Sequence, residues 1–357
     1  MTEKPSVVVG MSGGVDSSVA AALLVSQGYR VTGVMLRLWS QPCMEESNRC
    51  CTPEAMAQAR RIAAMLGIPF YALDVQERFR NTVVESFIEG YSNGLTPNPC
   101  LICNRQIRWG FMLDQAQALG ADYLATGHYA RVERGEDGDV RLIKAVDPNK
   151  DQSYVLSGLN QEQLRHSMFP LGELKKSEVR ELARQFSLPV AERADSQDLC
   201  FLAGGDYREF LLRYAVKGMA PGKIVTRQGK VLGEHQGLAA YTIGQRKGLG
   251  IAAPEPLYVL EKNLAENTLV IGFENELGQS TLRTGGVNWI SGRAPEMDLR
   301  VQVKIRYRAD LAWGILHPMQ DGCSVVDFEQ PLRDITAGQQ AVFYDGDQVL
   351  GGGIIQP

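Results

Sequence analysis

The chain has 357 residues, 44% of them hydrophobic, and its 37 basic and 41 acidic side chains give a net charge of −4. This length allows two or three domains with their own cores, and the near-even charge excludes a protein that coats nucleic acid with a uniformly basic surface. Any RNA binding would therefore depend on local basic patches.

The N-terminus and the cysteine content predict a cytoplasmic protein. Residues 1–6 are polar and lead directly into apolar residues 7–9, which look like a core strand and not like a signal peptide. No apolar run of about 18 residues occurs, so we expect no membrane span and no membrane partner. Seven cysteines are an odd number, which in a reducing compartment indicates chemistry or metal binding more than structural disulfides.

The first half of the chain alternates predicted strands with predicted helices. The strands are expected at 7–9, 31–36, 70–75 and 123–126, and the helices at 18–27, 53–66 and 111–119. This alternation is typical of an α/β fold with a doubly wound parallel sheet, in which ligands bind at the carboxyl ends of the strands. We assign this predicted domain to residues 1–205.

The second half has a different pattern. One more helix is predicted at 206–218, and strand candidates separated by Gly, Asn and Asp turns follow at 222–226, 257–260, 268–271, 299–307, 323–328 and 340–344. Alternating polar and apolar residues at 299–307 suit an antiparallel sheet with one face in water. We predict a small linking domain at 206–278 and a C-terminal antiparallel β-barrel at 279–357.

The strongest chemical motif is Gly-Met-Ser-Gly-Gly-Val-Asp-Ser at 10–17, directly after the first strand and before a helix. Such a turn exposes backbone N–H groups, and the helix N-terminus adds its positive dipole end, so the motif favours phosphate binding. Asp16 could contact Mg²⁺, and Ser12 and Ser17 could donate to phosphate oxygens. The plain alternative is a turn that only caps the helix. The Gly-Lys-Ser/Thr of a Walker A loop is missing, which disfavours γ-phosphate transfer.

Three cysteines stand in polar contexts. Cys100 and Cys103 form a Cys-x-x-Cys pair on a predicted Pro-stiffened turn, and Cys200 follows far downstream. Zinc, redox and iron–sulfur sites all use such pairs, while a buried structural thiol is the plain alternative. The polar neighbours favour a chemical role for Cys103 and Cys200. The remaining cysteines are predicted to be incidental thiols of a surface loop (Cys43, Cys50 and Cys51) and a core residue of a strand (Cys323).

These motifs carry a resemblance to known families. The loop at 10–17 resembles the pyrophosphate loop of N-type ATP pyrophosphatases, which adenylate a carbonyl oxygen and release pyrophosphate. Together with the cysteine segments, the chain resembles the tRNA-specific 2-thiouridylase family. Further matching segments, in the family's order, lie at 125–129, 149–154, 241–249, 304–308 and 338–344.

The resemblance implies a tRNA-uridine 2-sulfurtransferase that uses ATP and Mg²⁺ to adenylate the C2 carbonyl of the wobble uridine and then transfers sulfur from a protein persulfide. Cys200 would carry the persulfide, and Cys103 would be the nucleophile that helps to release its sulfur. The ATP site would contain Gly10, Met11, Ser12, Gly13, Gly14, Val15, Asp16, Ser17, Leu36 and Gly127. The target base would meet Asn98, Pro99 and Cys100, and tRNA would contact His128, Lys150, Asp151, Gln152, Arg306, Tyr307 and Gln339.

Several points stay open at the level of sequence. Leu36 stands where the family pattern leads us to expect methionine. Cys100, Cys103 and Cys200 could instead hold a 4Fe–4S cluster with one iron open to hydrosulfide. Basic side chains such as Arg108 and Arg308 could contact RNA phosphates, although such charges more often form a solvated face.

The resemblance also implies partners: tRNAs for Lys, Glu and Gln, bound in part by the C-terminal barrel, and a cysteine desulfurase or sulfur-relay protein as donor. Two rival hypotheses remain. One is another adenylating synthetase or amidotransferase of the same fold, which would not need the cysteines. The other is a non-catalytic iron–sulfur or zinc RNA-binding module, which leaves the loop at 10–17 unexplained.

Overall fold

The structure is a computed structural model that describes residues 4–41, 52–136, 138–194, 199–202, 205–214 and 218–357. Cys43, Cys50 and Cys51 lie outside the described residues, so their predicted surface location stays a prediction.

Strands and helices alternate through the first half, and strands dominate the second. The strands are β1 (Ser6–Gly10), β2 (Arg30–Arg37), β3 (Phe70–Asp74), β4 (Tyr123–Thr126), β5 (Arg131–Arg134), β6 (Val140–Ile143), β7 (Ser167–Met168), β8 (Gly222–Val225), β9 (Val231–His235), β10 (Tyr258–Asn263), β11 (Thr268–Gly272), β12 (Gln279–Trp289), β13 (Leu299–Lys304), β14 (Ala312–Pro318), β15 (Ser324–Leu332), β16 (Gln340–Asp345) and β17 (Gln348–Ile355). The α-helices are α1 (Val15–Ser26), α2 (Pro53–Met65), α3 (Gln76–Phe79), α4 (Glu85–Ser92), α5 (Pro99–Ile102), α6 (Leu113–Ala118), α7 (Ser153–Leu156), α8 (Gln161–Arg165), α9 (Lys176–Gln185) and α10 (Tyr207–Tyr214). Other helical segments have π geometry (Arg80–Val84, Cys103–Met112) or 3₁₀ geometry (Cys200–Leu202, Leu238–Ala240, Glu274–Glu276).

A parallel sheet of five strands in the order β3-β2-β1-β4-β7 organises the first half. Val7, Val8 and Val9 of the central strand β1 are all buried, as expected when helices cover both faces of a parallel sheet. α1, α2 and α9 pack on one face, and the helical stretch 103–118 packs on the other. The predicted doubly wound α/β fold is confirmed, and its topological switch point lies between β1 and β4.

The second half contains two further sheets. β8–β11 form a four-stranded sheet in the order β10-β11-β8-β9, with its own small core. β12–β17 form an antiparallel barrel that closes where β12 pairs with β17. The hairpin β5–β6 of the first half is added to this barrel, because β6 pairs with β17 through Val349 and Leu142. The predicted C-terminal barrel is confirmed, whereas the sequence pattern predicted neither β5–β6 nor this connection.

Two local predictions are wrong. The Cys100–Cys103 pair lies on a helix and not on a turn, because Asn98 caps the helix by accepting from Cys100 N at 3.1 Å and Pro99 occupies the first helical position. Cys323 is only half-buried and precedes β15, where its backbone N–H donates to Asp321 Oδ1 at 3.0 Å. It is therefore a turn residue and not a core residue.

Candidate active site

A cavity of about 370 Å³ opens at the carboxyl ends of β1 and β4, the place where a doubly wound sheet binds its ligands. Its wall contains residues from the loop at 10–17, from β2, from the helical stretch 103–112 and from the segments after β4. The lining residues are Gly10, Met11, Ser12, Gly14, Val15, Asp16, Ser17, Val34, Met35, Leu36, Leu38, Cys103, Arg108, Met112, Thr126, Gly127, His128, Tyr129, Lys150, Gln152, Arg193, Ala194, Cys200 and Tyr307.

The loop at 10–17 leaves the start of α1 open to a ligand. Gly14 is the N-cap residue, and none of the described side chains caps the helix there. Ser17 Oγ instead accepts from Ser12 N at 3.1 Å, which holds the loop closed on itself. Gly13 adopts a φ of +69°, which favours glycine, and its carbonyl accepts from Arg193 Nη1 at 2.7 Å. Uncapped N–H groups at a helix N-terminus are suited to bind a phosphate.

Gly127 lets the end of β4 approach this loop closely. A Cβ at position 127 would lie 2.6 Å from Ser17 N and 2.7 Å from Asp16 C. Both atoms belong to the backbone, so a side chain at 127 would displace the start of α1. The cradle formed by Gly127 and the loop therefore depends on glycine.

Asp16 is held by two partners from distant parts of the chain. Lys176 Nζ donates to Asp16 Oδ1 at 2.6 Å, and the Tyr129 hydroxyl donates to the same oxygen at 2.8 Å. Only 12% of the Lys176 side chain is exposed, so this ion pair is shielded from solvent more than a surface pair. Lys176 is not among the predicted site residues, because no local motif in the sequence marks it.

The π-helical stretch 103–112 explains which of its side chains reach the cavity. Cys103, Arg108 and Met112 all line it, at spacings of five and four residues. A π-helix has about 4.4 residues per turn, so these three positions fall close to one face, whereas an α-helix would put Cys103 and Met112 on opposite sides. The unusual helix geometry therefore aims Cys103 and Arg108 into the same space.

Cys200 reaches this cavity from a different direction. It begins the 3₁₀ segment Cys200–Leu202, whose Phe201 is buried against the rings of Phe87 and Phe210 at centroid distances of 5.2 and 5.4 Å. Cys103 is 8% exposed and lines the same cavity. The structure thus brings together two cysteines that are far apart in the sequence.

Cys100 does not line the cavity, although it lies one helical turn before Cys103. Its side chain keeps accessible surface, yet desolvation by the surrounding protein, with a smaller contribution from the neighbouring Cys103, raises the pKa of its thiol to about 11. Because a thiolate is the reactive form, Cys100 is a poor nucleophile at neutral pH.

The three thiols are not arranged as cluster ligands. Among the described residues, no group of three or more Cys, His, Asp or Glu side chains could hold a metal ion. This arrangement does not fit a 4Fe–4S cluster, and Asp16, the predicted Mg²⁺ contact, is ion-paired with Lys176.

His128 is buried, and other protein groups occupy both of its ring nitrogens. Nε2 lies 2.9 Å from Arg108 Nη1, and Nδ1 lies 2.7 Å from Thr126 Oγ1. Desolvation lowers the pKa of His128 well below its ordinary value, and the Arg108 charge lowers it further. The imidazole is therefore neutral, with Nε2 accepting from Arg108 and Nδ1–H donating to Thr126.

The other predicted tRNA contacts divide into two groups. Lys150, Gln152 and Tyr307 line the cavity with His128. Asp151 is buried and faces inward, where it accepts from Ala145 N at 2.9 Å and from the Ser153 hydroxyl at 2.8 Å.

Four other residues that were expected to contact the tRNA or its target base lie outside the cavity wall: Asn98, Pro99, Arg306 and Gln339. Arg306 pairs with Asp334. Gln339 Nε2 donates to the carbonyl of Thr96 at 2.6 Å, just before the Cys100–Cys103 helix. The barrel therefore contacts the segment that carries these cysteines.

Comparison with known proteins gives one consistent result. Three family models match almost the whole chain: "tRNA methyl transferase HUP domain" at 5–204, "tRNA methyl transferase PRC-barrel domain" at 208–273 and "Aminomethyltransferase beta-barrel domain" at 279–355. The tRNA-specific 2-thiouridylase MnmA of Magnetococcus marinus is 46% identical over 99% of this chain and 100% of that protein. The proteins of the same name from Symbiobacterium thermophilum (45%; 98% and 92% covered) and Chloroflexus aurantiacus (46%; 98% and 98% covered) are equally similar.

Among solved structures, a 4-thiouridine synthetase–RNA complex with bound ATP is 17% identical, with a TM-score of 0.36 over 59% of this chain and 50% of that one. Similarity at this level carries no conclusion about activity. In the described part of the chain, no helix is both long and apolar enough to cross a membrane.

Proposed function

The chain belongs to the tRNA-specific 2-thiouridylase family, and on that premise we propose that it uses ATP to replace the C2 oxygen of the wobble uridine of tRNA with sulfur. The observation that carries this proposal is one cavity lined by the nucleotide loop at 10–17, by Cys103 and by Cys200. An adenylating synthetase has no use for two thiols beside its nucleotide. Methyl transfer, which the names of two family models mention, gives neither thiol a role.

The first half of the reaction activates a poor leaving group. Uridine O2 attacks the α-phosphorus of ATP, pyrophosphate leaves with the electron pair of the broken P–O bond, and the N3 proton is lost to water. The loop at 10–17 and Gly127 would hold the phosphates through the uncapped N–H groups of α1. Lys176 and Tyr129 would keep Asp16 in place.

The second half transfers sulfur. The terminal sulfur of a Cys200 persulfide attacks C2, and AMP leaves. The Cys103 thiolate then attacks Cys200 Sγ, which breaks the S–S bond to the substrate and releases 2-thiouridine, with N3 protonated again. The product on the protein is a Cys103–Cys200 disulfide, which a thiol reductant must reduce before the next turnover. A cysteine desulfurase or a sulfur-relay protein would supply the persulfide.

The tRNA would lie across the cavity mouth and the barrel. Lys150, Gln152 and Tyr307 would meet it at the cavity, and Arg306 and Gln339 would meet it on the barrel side. We propose the division 1–205, 206–278 and 279–357 for the catalytic, linking and tRNA-binding domains, and tRNAs for Lys, Glu and Gln as substrates. The inward-facing Asp151 would support its loop and not contact RNA.

The test is tRNA thiolation with ATP and a cysteine desulfurase, measured as 2-thiouridine by nucleoside mass spectrometry. Cys200→Ser and Cys103→Ser should abolish the product while tRNA-dependent pyrophosphate release continues. Cys323→Ser is the matched control, because that cysteine lies in the barrel before β15, and it should thiolate at the wild-type rate. Undiminished 2-thiouridine from Cys200→Ser would exclude the persulfide route.

A further inference from the structure

Arg108 is a cation of the cavity wall that pairs with no acidic side chain in the part of the chain that the structure describes. Its Nη1 donates to His128 Nε2 at 2.9 Å and lies 3.4 Å from Asn104 Oδ1, and both partners are neutral. The residue is half-buried beneath the cavity. Arginine stays charged at physiological pH, so a partly desolvated guanidinium with neutral partners favours an anion beside it.

Basic side chains outnumber acidic ones among the described residues of the cavity wall. Arg108, Lys150 and Arg193 line the cavity, and Asp16 is the one acidic side chain among the described residues that line it. Lys176 already neutralises Asp16 through its 2.6 Å ion pair. Arg108, whose partners are neutral, is therefore suited to hold an anion, and it lies on the helix that also carries Cys103.

His128 fixes the direction of the guanidinium. The neutral ring accepts from Arg108 and is itself oriented by Thr126 Oγ1. The rings of Trp109 and Phe169 pack against it at centroid distances of 5.5 and 6.4 Å. A buried imidazole with both nitrogens engaged cannot contact tRNA itself, so its influence on the reaction would pass through Arg108.

Arg108 lies between the nucleotide loop at the start of α1 and Cys103. His128 directly follows Gly127, which closely approaches the start of α1. On its other side, Arg108 lies about one π-helical turn beyond Cys103. In the proposed reaction, the phosphorus that joins the nucleotide to uridine O2 must lie between the nucleotide loop and the attacking sulfur.

We infer that Arg108 is a catalytic residue that binds the α-phosphate of ATP while uridine O2 displaces pyrophosphate, and that His128 is its positioning residue. This inference rests on the proposed function. As the bond from O2 to phosphorus forms and the bond to pyrophosphate breaks, negative charge is spread over the non-bridging oxygens. A fixed guanidinium next to those oxygens stabilises the transition state more than the ground state.

The experiment measures tRNA-dependent pyrophosphate release by single-site variants. Arg108→Gln should lower kcat about 100-fold, the usual effect of removing one transition-state donor. Its KM for ATP should stay within about threefold, because the lost interaction belongs to the transition state. Arg108→Lys should recover part of the rate. His128→Phe, which can keep the ring packing but cannot accept from Arg108, should lower kcat about tenfold.

Two further measurements make the outcome decisive. Arg61→Gln, at an exposed position of α2, is the control for net charge and should leave kcat unchanged. Persulfide formed on Cys200 by the sulfur donor, which needs no nucleotide, should be normal in every variant.

The inference is overturned if Arg108→Gln keeps kcat within threefold of wild type. It is also overturned if Arg108→Gln and Arg108→Lys both lose persulfide formation, because Arg108 would then support the fold. If the wild-type protein releases no pyrophosphate with tRNA, the proposed function fails, and this inference fails with it.

Discussion

Replacing Gly127 with alanine should weaken ATP binding by about 10- to 100-fold. The new Cβ would lie 2.6 Å from Ser17 N and 2.7 Å from Asp16 C, whereas ordinary van der Waals contact begins at 3.4 Å. Both neighbours are backbone atoms at the start of α1, so about 0.8 Å of movement must come from the loop or from the end of β4. Such overpacking costs about 1–3 kcal/mol, and every 1.4 kcal/mol is tenfold in affinity.

The assay is titration calorimetry with a non-hydrolysable ATP analogue, combined with urea unfolding of the same samples. Gly158→Ala is the matched control, because a Cβ there would meet nothing closer than 3.9 Å. Gly158→Ala should bind the analogue as wild type does. If Gly127→Ala also binds it within threefold of wild type, the proposed cradle between β4 and the loop is refuted.

Three further predictions follow from individual contacts. Lys176→Met leaves the Asp16 carboxylate without its cation at 2.6 Å and should lower kcat/KM for ATP in pyrophosphate release about tenfold. Tyr154→Phe removes the buried hydrogen bond to the Gln340 carbonyl (2.9 Å) and should reduce the free energy of unfolding in urea by about 1 kcal/mol. Because burial holds the pKa of His128 far below 6.5, the unfolded chain binds a proton that the folded chain excludes. The free energy of unfolding should therefore fall as pH drops below about 6.5, by up to about 1.4 kcal/mol per pH unit from this group.

Each of these predictions has a control. Lys175→Met changes an exposed lysine beside Lys176 and should leave pyrophosphate release unchanged. Tyr71→Phe changes a half-exposed tyrosine and should not affect unfolding. His128→Phe should make the pH dependence of unfolding shallower between pH 7 and 5.5. The first prediction is contradicted if Lys175→Met lowers kcat/KM for ATP as much as Lys176→Met does. The second is contradicted if Tyr154→Phe unfolds at the same urea concentration as wild type. The third is contradicted if His128→Phe leaves the pH dependence of the free energy of unfolding unchanged.

The sequence predicted the elements whose patterns are local. Buried strands such as β1 and the glycine-rich turn before α1 carry their own signals, so the parallel sheet and this turn are predicted correctly. The helix that starts at Pro99 is not among the predicted elements, because its prolines also favour a turn. Asn98 followed by proline is also a helix-start signal, and this second interpretation was the correct one.

Features that depend on distant contacts could not be predicted from local pattern. The pairing of β6 with β17 and the barrel closure between β12 and β17 join segments far apart in the chain. Lys176 reaches Asp16 across a separation of 160 residues, and nothing around it marks it as a site residue. No local motif of the sequence predicts the π-helical register that aligns Cys103 with Arg108.

The central claim, that Cys103 and Cys200 act on one sulfur atom beside the nucleotide loop, is tested most directly in a single turnover without reductant. Iron-free protein carrying a persulfide on Cys200 is mixed with ATP and tRNA, and its peptides and nucleosides are analysed by mass spectrometry. We predict one Cys103–Cys200 disulfide for each 2-thiouridine formed. An equal yield of 2-thiouridine from Cys103→Ser, or product without the disulfide, would contradict the claim.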